Sequence, residues 1–198
     1  CYDPALYTSL HAVLETATAK SMFALGLNLA ETLEDDVLAE GQMALGHRRT
    51  AVFSGHYSKA WVTKRGTGLW RHGIWVGPKR IETAVFDLPR GVYLMHLKYA
   101  NIDALETANQ HRTDVGNMPG RGLPGAAWKE ADQTAARFYA RLAGFRDETW
   151  EVARDHAYAT ISAEPVRDAK ENVLRAKSTV FEQRVTLPEW VAATFGDT

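Results

Sequence analysis

The sequence has few features that would tie its fold to disulfides, to a membrane or to a strong charge. Its single cysteine, Cys1, cannot form a disulfide within the chain, which favours a reducing compartment. No apolar run is long enough to span a bilayer, and no charged-then-apolar leader opens the chain. The formal net charge of −1 gives no reason to predict a nucleic-acid partner.

Two common catalytic signatures are also missing. The chain has no Gly-x-Ser-x-Gly nucleophile elbow, and Cys1 at the very terminus is a poor candidate nucleophile. The Gly- and Pro-rich stretch 116–126, GNMPGRGLPGA, predicts a loop, but it lacks the Gly-Lys-Ser/Thr of a phosphate-binding loop. Neither a serine hydrolase nor a P-loop enzyme is therefore indicated.

Hydrophobic residues make up 45% of the chain and charged residues 24%, which is typical of a protein with a sizeable apolar core. Helical and strand patterns alternate along it, with short aromatic strands in the middle and helices toward the end. We predict an α/β protein with a sheet of mixed direction, divided into residues 1–115 and a helical C-terminal region, 116–198. The predicted helices are 4–19 (with Asp3 as N-cap), one beginning after Asn101, 128–145, 148–162 and one from Pro188; the predicted strands are 21–29, 50–54, 58–64, 72–77, 91–99 and 178–188.

The stretch 91–99, GVYLMHLKY, is an apolar strand that turns polar only at its carboxyl end. Strict alternation would place Tyr93, Met95, Leu97 and Tyr99 on one face, and His96 and Lys98 on the other. Open α/β sheets bind ligands at the carboxyl ends of their strands, and the helix predicted after Asn101 would turn its free N–H groups toward the same place. The pattern indicates an anion site, such as a metal–phosphate site, with a core histidine as the structural alternative.

Other candidate residues give weaker signals. Four of the seven histidines lie in the β-rich middle together with the densest collection of basic side chains in the sequence. Lys59 follows Tyr57 in a strand and could hold a phosphate, or it could extend along the strand to water. Asp35 and Asp36, in the acidic connection after the first strand, could act as a base or as solvated turn residues. The four histidines are His47, His56, His72 and His96.

The segments RRTAVFSGHYSKAWVTKR, GIWV and GVYLMHLKYANIDALETANQHR resemble the C-terminal half of bacterial family-2-like glycosyltransferases. The resemblance covers roughly residues 3–115 and is most specific in Ser58-Lys59 and in the His-Leu-Lys-Tyr run, 96–99. It implies a GT-A fold, which is a Rossmann-like α/β sheet, and the transfer of a sugar from a nucleotide-sugar donor to a glycan or other acceptor. It also implies a cytoplasmic protein, with a peripheral position at the inner membrane as the alternative.

The resemblance assigns roles to individual residues. His96 would hold a divalent metal, Mn²⁺ or Mg²⁺; Lys59, His72 and Lys98 would bind the phosphates, and Arg121 would close over them from the Gly/Pro loop. Asp35 and Asp36 are the candidate catalytic bases. The family's Asp-x-Asp metal motif is absent from this sequence, so we expect it in a missing N-terminal part and expect the fragment alone to transfer no sugar.

Two other classes of function compete with the transferase. One is a non-catalytic, β-rich binding module in which histidines hold a metal, as in cupin-like barrels. The other is a structural domain for assembly, in which substitutions at His96 or Lys98 change stability alone. The transferase hypothesis requires Lys59, His96 and Lys98 to converge on one cleft, whereas the structural hypothesis does not.

Overall fold

The computed structural model describes residues 1–64, 66–70, 72–118, 128 and 130–195. The described chain is a mixed α/β protein, as predicted, with two sheets and helices that pack against them. None of the described helices is both long and apolar enough to cross a membrane. The strands are β1 (Ser21–Ala30), β2 (Thr50–Thr63), β3 (Gly68–Trp70), β4 (Gly73–Trp75), β5 (Tyr93–Tyr99), β6 (Arg146–Asp147), β7 (Val166–Asp168), β8 (Val173–Arg175) and β9 (Val180–Thr186); the helices are α1 (Leu10–Glu15), α2 (Ala44–His47), α3 (Ile102–Asn117), α4 (Ala131–Leu142), α5 (Trp150–Ala163) and α6 (Glu189–Phe195).

The larger sheet has five strands in the order β5-β1-β2-β9-β6. Strand β1 runs parallel to β5 and antiparallel to β2, and β9 is antiparallel to β2 and parallel to β6. Every residue of β1 is buried, because both faces of this strand are covered. The prediction of a mixed sheet is therefore confirmed, whereas the GT-A fold stays a prediction.

One face of the larger sheet carries the main hydrophobic core. Phe23, Leu25, Leu27 and Leu29 of β1 alternate along this face and belong to the same buried cluster as residues of α5 and of the smaller sheet. The opposite face carries a separate apolar cluster at each of its two ends. One surrounds Val13 of α1, and the other includes the α4 residues Leu142 and Phe138. Between these two clusters, the face carries polar side chains.

The smaller sheet has four strands, in the order β3-β4-β8-β7, and all of its pairs are antiparallel. Its Ile74 and Leu174 join the main core. Both sheets are open in the described part of the chain, so the closed barrel of the cupin-like alternative is not formed there. The larger sheet takes strands from both sides of residue 115, and that residue lies inside α3.

Several predicted elements have different bounds in the structure. The helix expected over residues 4–19 is interrupted in the structure. The Asp3 carboxylate accepts the Ala5 N–H and the Asp3 carbonyl accepts the Tyr7 N–H, which makes a single turn, but α1 begins only at Leu10, with Ser9 as its N-cap. The C-terminal region contains β6–β9 as well as helices, so it is less helical than predicted. The predicted strands 50–54 and 58–64 are one continuous strand, β2.

A buried arginine fixes the loops at the carboxyl end of β1. Arg48 is fully buried, and its guanidinium donates hydrogen bonds to the Ala100 carbonyl, the Asp36 carbonyl and the Glu31 carboxylate. The other oxygen of Glu31 accepts the N–H of Ile102, the first residue of α3. Arg48 therefore joins the acidic loop, the end of β5 and the start of α3.

Candidate functional site

A bulge in β2 builds the first part of the site. Ala24 of β1 pairs with Lys59, but Gly26, only two residues later, pairs with Ser54, so the four β2 residues 55–58 lie opposite a single β1 residue, Leu25. The Ser58 hydroxyl donates to the Ser54 carbonyl at 2.9 Å and accepts the Gly26 N–H at 2.9 Å. A Cβ atom on Gly26 would overlap the backbone of Tyr57 and Ser58, so only glycine permits this close approach.

A second bulge, in β5, sets the direction of the neighbouring side chains. Asn28 pairs with His96, and Ala30 pairs with Tyr99, so β5 has one residue more than β1 over this interval. His96 and Tyr99 therefore lie on the same face, with ring centroids 6.2 Å apart, and Leu97 is exposed. The prediction that Tyr99 and His96 lie on opposite faces is wrong, because strict alternation does not survive a bulge.

His96 is held between an aromatic ring and an amide. The ring of Tyr57 stacks on the imidazole with centroids 3.6 Å apart and planes 18° apart. Nδ1 of His96 lies 2.9 Å from Oδ1 of the buried Asn28. In the neutral ring, an Nδ1–H that donates to this amide oxygen leaves Nε2 as the acceptor atom. The imidazole is thus oriented, with one nitrogen available to a ligand.

Cationic side chains surround this imidazole. Burial, which has the largest effect, and the positive charges of Lys59, Lys98, His56 and Arg112 together lower the pKa of His96 to about 4. The Lys59 ammonium lies 4.8 Å from the centre of the Tyr57 ring, and the Lys98 ammonium lies 5.2 Å from that of Tyr99. His96 is therefore neutral at pH 7.

The described residues do not neutralise the three permanent cations of this cluster, Lys59, Lys98 and Arg112. Within the described residues, no carboxylate forms an ion pair with any of the three. Arg112 donates to the Asn109 side chain, which is a neutral partner. Burial lowers the pKa of both lysines, and the charge of Arg112 also lowers that of Lys98. We call Lys59, His96, Lys98 and Arg112 the cation cluster.

The cation cluster continues into a row of aromatic rings and a cavity. His72 reaches it through His56, with ring centroids 4.7 Å apart, and Tyr99 stacks on Phe138 of α4 at 3.7 Å. A cavity of about 250 Å³ begins beside Asn28 and His56 and ends at α4. It is smaller than the roughly 300–1,000 Å³ of drug-sized ligand sites, so it suits one part of a ligand. Its polar lining includes Ser54, Thr134, Arg137, Arg141 and Ser178.

The structure brings together most, but not all, of the residues predicted from the sequence. Lys59, His96 and Lys98 converge, and His72 joins them through His56. Neither Asp35 nor Asp36 is among the described groups whose charge acts on His96.

The two aspartates take part in a turn instead. The Asp35 carboxylate accepts the N–H and the hydroxyl of Thr32, and the Asp36 carbonyl accepts from Arg48. Their role as a catalytic base stays a prediction. Arg121 lies outside the described residues, and His47 lies in α2.

Three residues of the site were not identified from the sequence: Asn28, Tyr57 and Arg112. A buried amide in the apolar strand SMFALGLNLA was a usable signal, since a buried polar group needs a partner. Tyr57 could not be assigned, because the bulge that directs it depends on the pairing of β1 with β2. Arg112 lies on α3, and its charge reaches Tyr57 and Lys98 only through the tertiary fold.

The donor atoms at the site do not form a metal centre by themselves. His96 offers one nitrogen, and its charged neighbours are cations, which would repel a divalent ion. Across the described parts of the chain, no three His, Cys, Asp or Glu side chains gather in a way that could hold a metal ion. The Mn²⁺ or Mg²⁺ implied by the resemblance therefore stays a prediction.

Comparison with models of known protein families, with curated proteins and with solved structures found no match for this chain.

Proposed function

We propose that this chain is part of a glycosyltransferase and that the cation cluster binds the diphosphate of a nucleotide-sugar donor. The observation that carries the proposal is the convergence of Lys59, Lys98 and Arg112 around a neutral histidine, without an ion-paired carboxylate among the described residues. Like charges held together destabilise a folded protein unless a ligand neutralises them. A diphosphate carries the charge and the acceptor oxygens that such a cluster binds best.

The same cluster suits the chemistry of sugar transfer. Negative charge grows on the diphosphate as its bond to the sugar breaks, and cations fixed beside it stabilise that charge. Neutral His96 can accept a hydrogen bond at Nε2 without adding a further positive charge. The cavity beside Asn28 offers hydroxyl and guanidinium groups to the transferred sugar. The resemblance of residues 3–115 to family-2-like glycosyltransferases supports the same assignment.

Calorimetric titration of this chain with UDP, GDP, ADP, CDP and inorganic pyrophosphate tests the proposal. We expect binding of at least one diphosphate in the presence of EDTA, because the cations act without a metal. Lys98→Met should weaken it by at least about 10-fold, which is the effect of losing one charge-assisted contact. Repeating the titration with Mn²⁺, with and without His96→Ala, tests the predicted metal separately.

Lys20→Met is the matched control. Lys20 is exposed and directly precedes β1, about 26 Å along the strand from Asn28 at ~3.3 Å per residue. Its substitution removes the same charge and should leave binding unchanged. Equal losses in the two variants would reduce the effect to net charge and contradict the proposal. No binding by the folded chain, together with changes in stability alone, would favour the structural domain instead.

A further inference from the structure

The hairpin of β3 and β4 exposes two tryptophans on one face of the smaller sheet. Trp70 is 46% exposed and Trp75 is 44% exposed, although indoles of this size are normally well covered. Trp70 pairs with Gly73 and Trp75 pairs with Gly68, so the two indoles occupy one diagonal of the hairpin and two glycines occupy the other. Diagonal neighbours of this kind are about 7–8 Å apart.

Because glycine has no side chain, the surface between the two indoles is recessed. Gly73 is required by its neighbour, because a Cβ atom there would overlap the backbone of Leu174 in β8. No such need is seen at Gly68, where no atom of the described residues lies within 4 Å of the position that a Cβ would take. The open space above Gly68 is therefore a property of the surface rather than a packing requirement.

Polar groups of both signs border this face. Arg175 of β8 pairs with Gly73, and its guanidinium lies 3.8 Å from the Asp168 carboxylate of β7. The two charges partly offset each other, and together they offer hydrogen-bond donors and an acceptor to the hydroxyl groups of a ligand. An anionic membrane or a nucleic acid would need a field of one sign. Flat indoles beside balanced polar groups suit an uncharged ligand with apolar faces and many hydroxyl groups.

The hairpin is also continuous with the cation cluster. His72 follows this face at the turn between Trp70 and Gly73, and its ring lies 4.7 Å from that of His56. The charge of Arg175 also acts on His56, whose pKa is lowered mainly by burial and then by Lys59. A ligand that extends from the Trp70–Trp75 face toward His56 therefore approaches the site of the proposed donor.

We infer that the Trp70–Trp75 face binds the pyranose rings of an uncharged acceptor glycan. The inference rests on the proposed glycosyltransferase function, since a transferase needs a second site for its acceptor. The C–H face of a sugar ring packs on an indole, and its hydroxyl groups bond to Arg175 and Asp168. A chain of sugars along the hairpin would place its end near the cation cluster.

A printed array of uncharged oligosaccharides, built from glucose, galactose, mannose, rhamnose and N-acetylglucosamine, tests the inference with the intact chain. We expect at least one to bind, and Trp75→Ala to reduce that binding by at least 10-fold. Trp75→Phe should retain most of it, because a flat ring remains. Gly68→Val, which has room for its side chain, should reduce binding by filling the open space.

Trp128→Ala is the matched control, since Trp128 is also exposed, at 36%, and lies outside the hairpin. A silent array with the folded chain overturns the inference, as does equal binding by Trp75→Ala. Self-association of the chain that Trp75→Ala abolishes, seen by sedimentation without any bound glycan, would assign the face to a second copy and overturn it too. Diphosphate titration of Trp75→Ala separates the two proposals: the donor site should bind normally even if the glycan site does not exist.

Discussion

Arg48 and Lys98 both lie near the carboxyl ends of β1 and β5, but the protein treats their charges in opposite ways. Arg48 is fully buried, and carbonyl groups and the Glu31 carboxylate surround its guanidinium. Lys98 is half-buried beside Arg112 and near Lys59, with no ion-paired carboxylate among the described residues. A charge whose partners are complete holds the fold together, whereas a charge without partners is available to a ligand.

The largest effect on stability should come from disrupting the hydrogen-bond network of Arg48. Arg48→Met leaves the Glu31 carboxylate and two carbonyl groups without their partner, and breaking a buried pair typically costs about 3–5 kcal/mol. We expect the free energy of unfolding, measured with urea, to fall by about that amount. Arg49→Met is the control, because Arg49 pairs with Glu189 at the surface and such pairs contribute about 0–1 kcal/mol. Similar losses in both variants would contradict the comparison.

The next largest effect should appear in binding rather than in stability. Replacing both Lys59 and Lys98 with methionine removes two charge-assisted contacts to a diphosphate, each of about 1.5–3 kcal/mol. The same change relieves repulsion within the cation cluster, so the free energy of unfolding should not fall. Calorimetry and urea unfolding of the double variant measure the two quantities. A fall in stability with unchanged binding would place these lysines in the same class as Arg48.

A smaller effect is expected at the β2 bulge. Ser58→Ala removes the acceptor of the Gly26 N–H and the donor to the Ser54 carbonyl, which should lower stability by about 1–3 kcal/mol. Because the bulge holds Tyr57 over His96, diphosphate binding should weaken as well. Tyr57→Phe keeps the ring and should change neither property strongly. Unchanged stability and binding in Ser58→Ala would show that the bulge needs no hydroxyl.

The smallest effect concerns proton binding. In the Lys59→Met, Lys98→Met variant the pKa of His96 should rise above about 4, because two of the charges that lower it are gone. The folded pKa lies below the ordinary 6.5, so between these values the unfolded chain binds more protons and stability falls as the pH decreases. NMR titration of the imidazole gives the pKa directly. An unchanged value would show that Lys59 and Lys98 do not lower it and would leave burial, His56 and Arg112 as its causes.

Glycine shows why part of the fold could be predicted and part could not. The apolar runs of β1 and β5, and the capping of α3 by Asn101, follow from local pattern and are confirmed. The predicted strands 50–54 and 58–64 leave Gly55 in a connection between them, but Gly55 lies in the β2 bulge, where a Cβ atom would overlap the backbone of Lys177. Local sequence cannot distinguish a glycine that turns the chain from one that admits a distant segment.

The candidate site, too, could be predicted only in part from local sequence. Residue types and strand position were enough to select Lys59, His96 and Lys98, because an imidazole and ammonium groups in apolar strands are unusual. Their common face, and the arrival of Tyr57 and Arg112, depend on two bulges and on the docking of α3. The start of α1 was mispredicted because the cap at Asp3 produces only one turn, and a second cap, Ser9, begins α1.

The additional residue in β5 changes how this site would be recognised in another sequence. In a regular strand, two side chains on one face are two or four positions apart, but His96 and Tyr99 share a face at a separation of three. That separation is usual for a helix, so a pattern search that assumes helical periodicity would assign the pair to the wrong element. We would therefore search other sequences for a His-x-x-Tyr spacing at the end of an apolar strand, followed by a helix-capping asparagine.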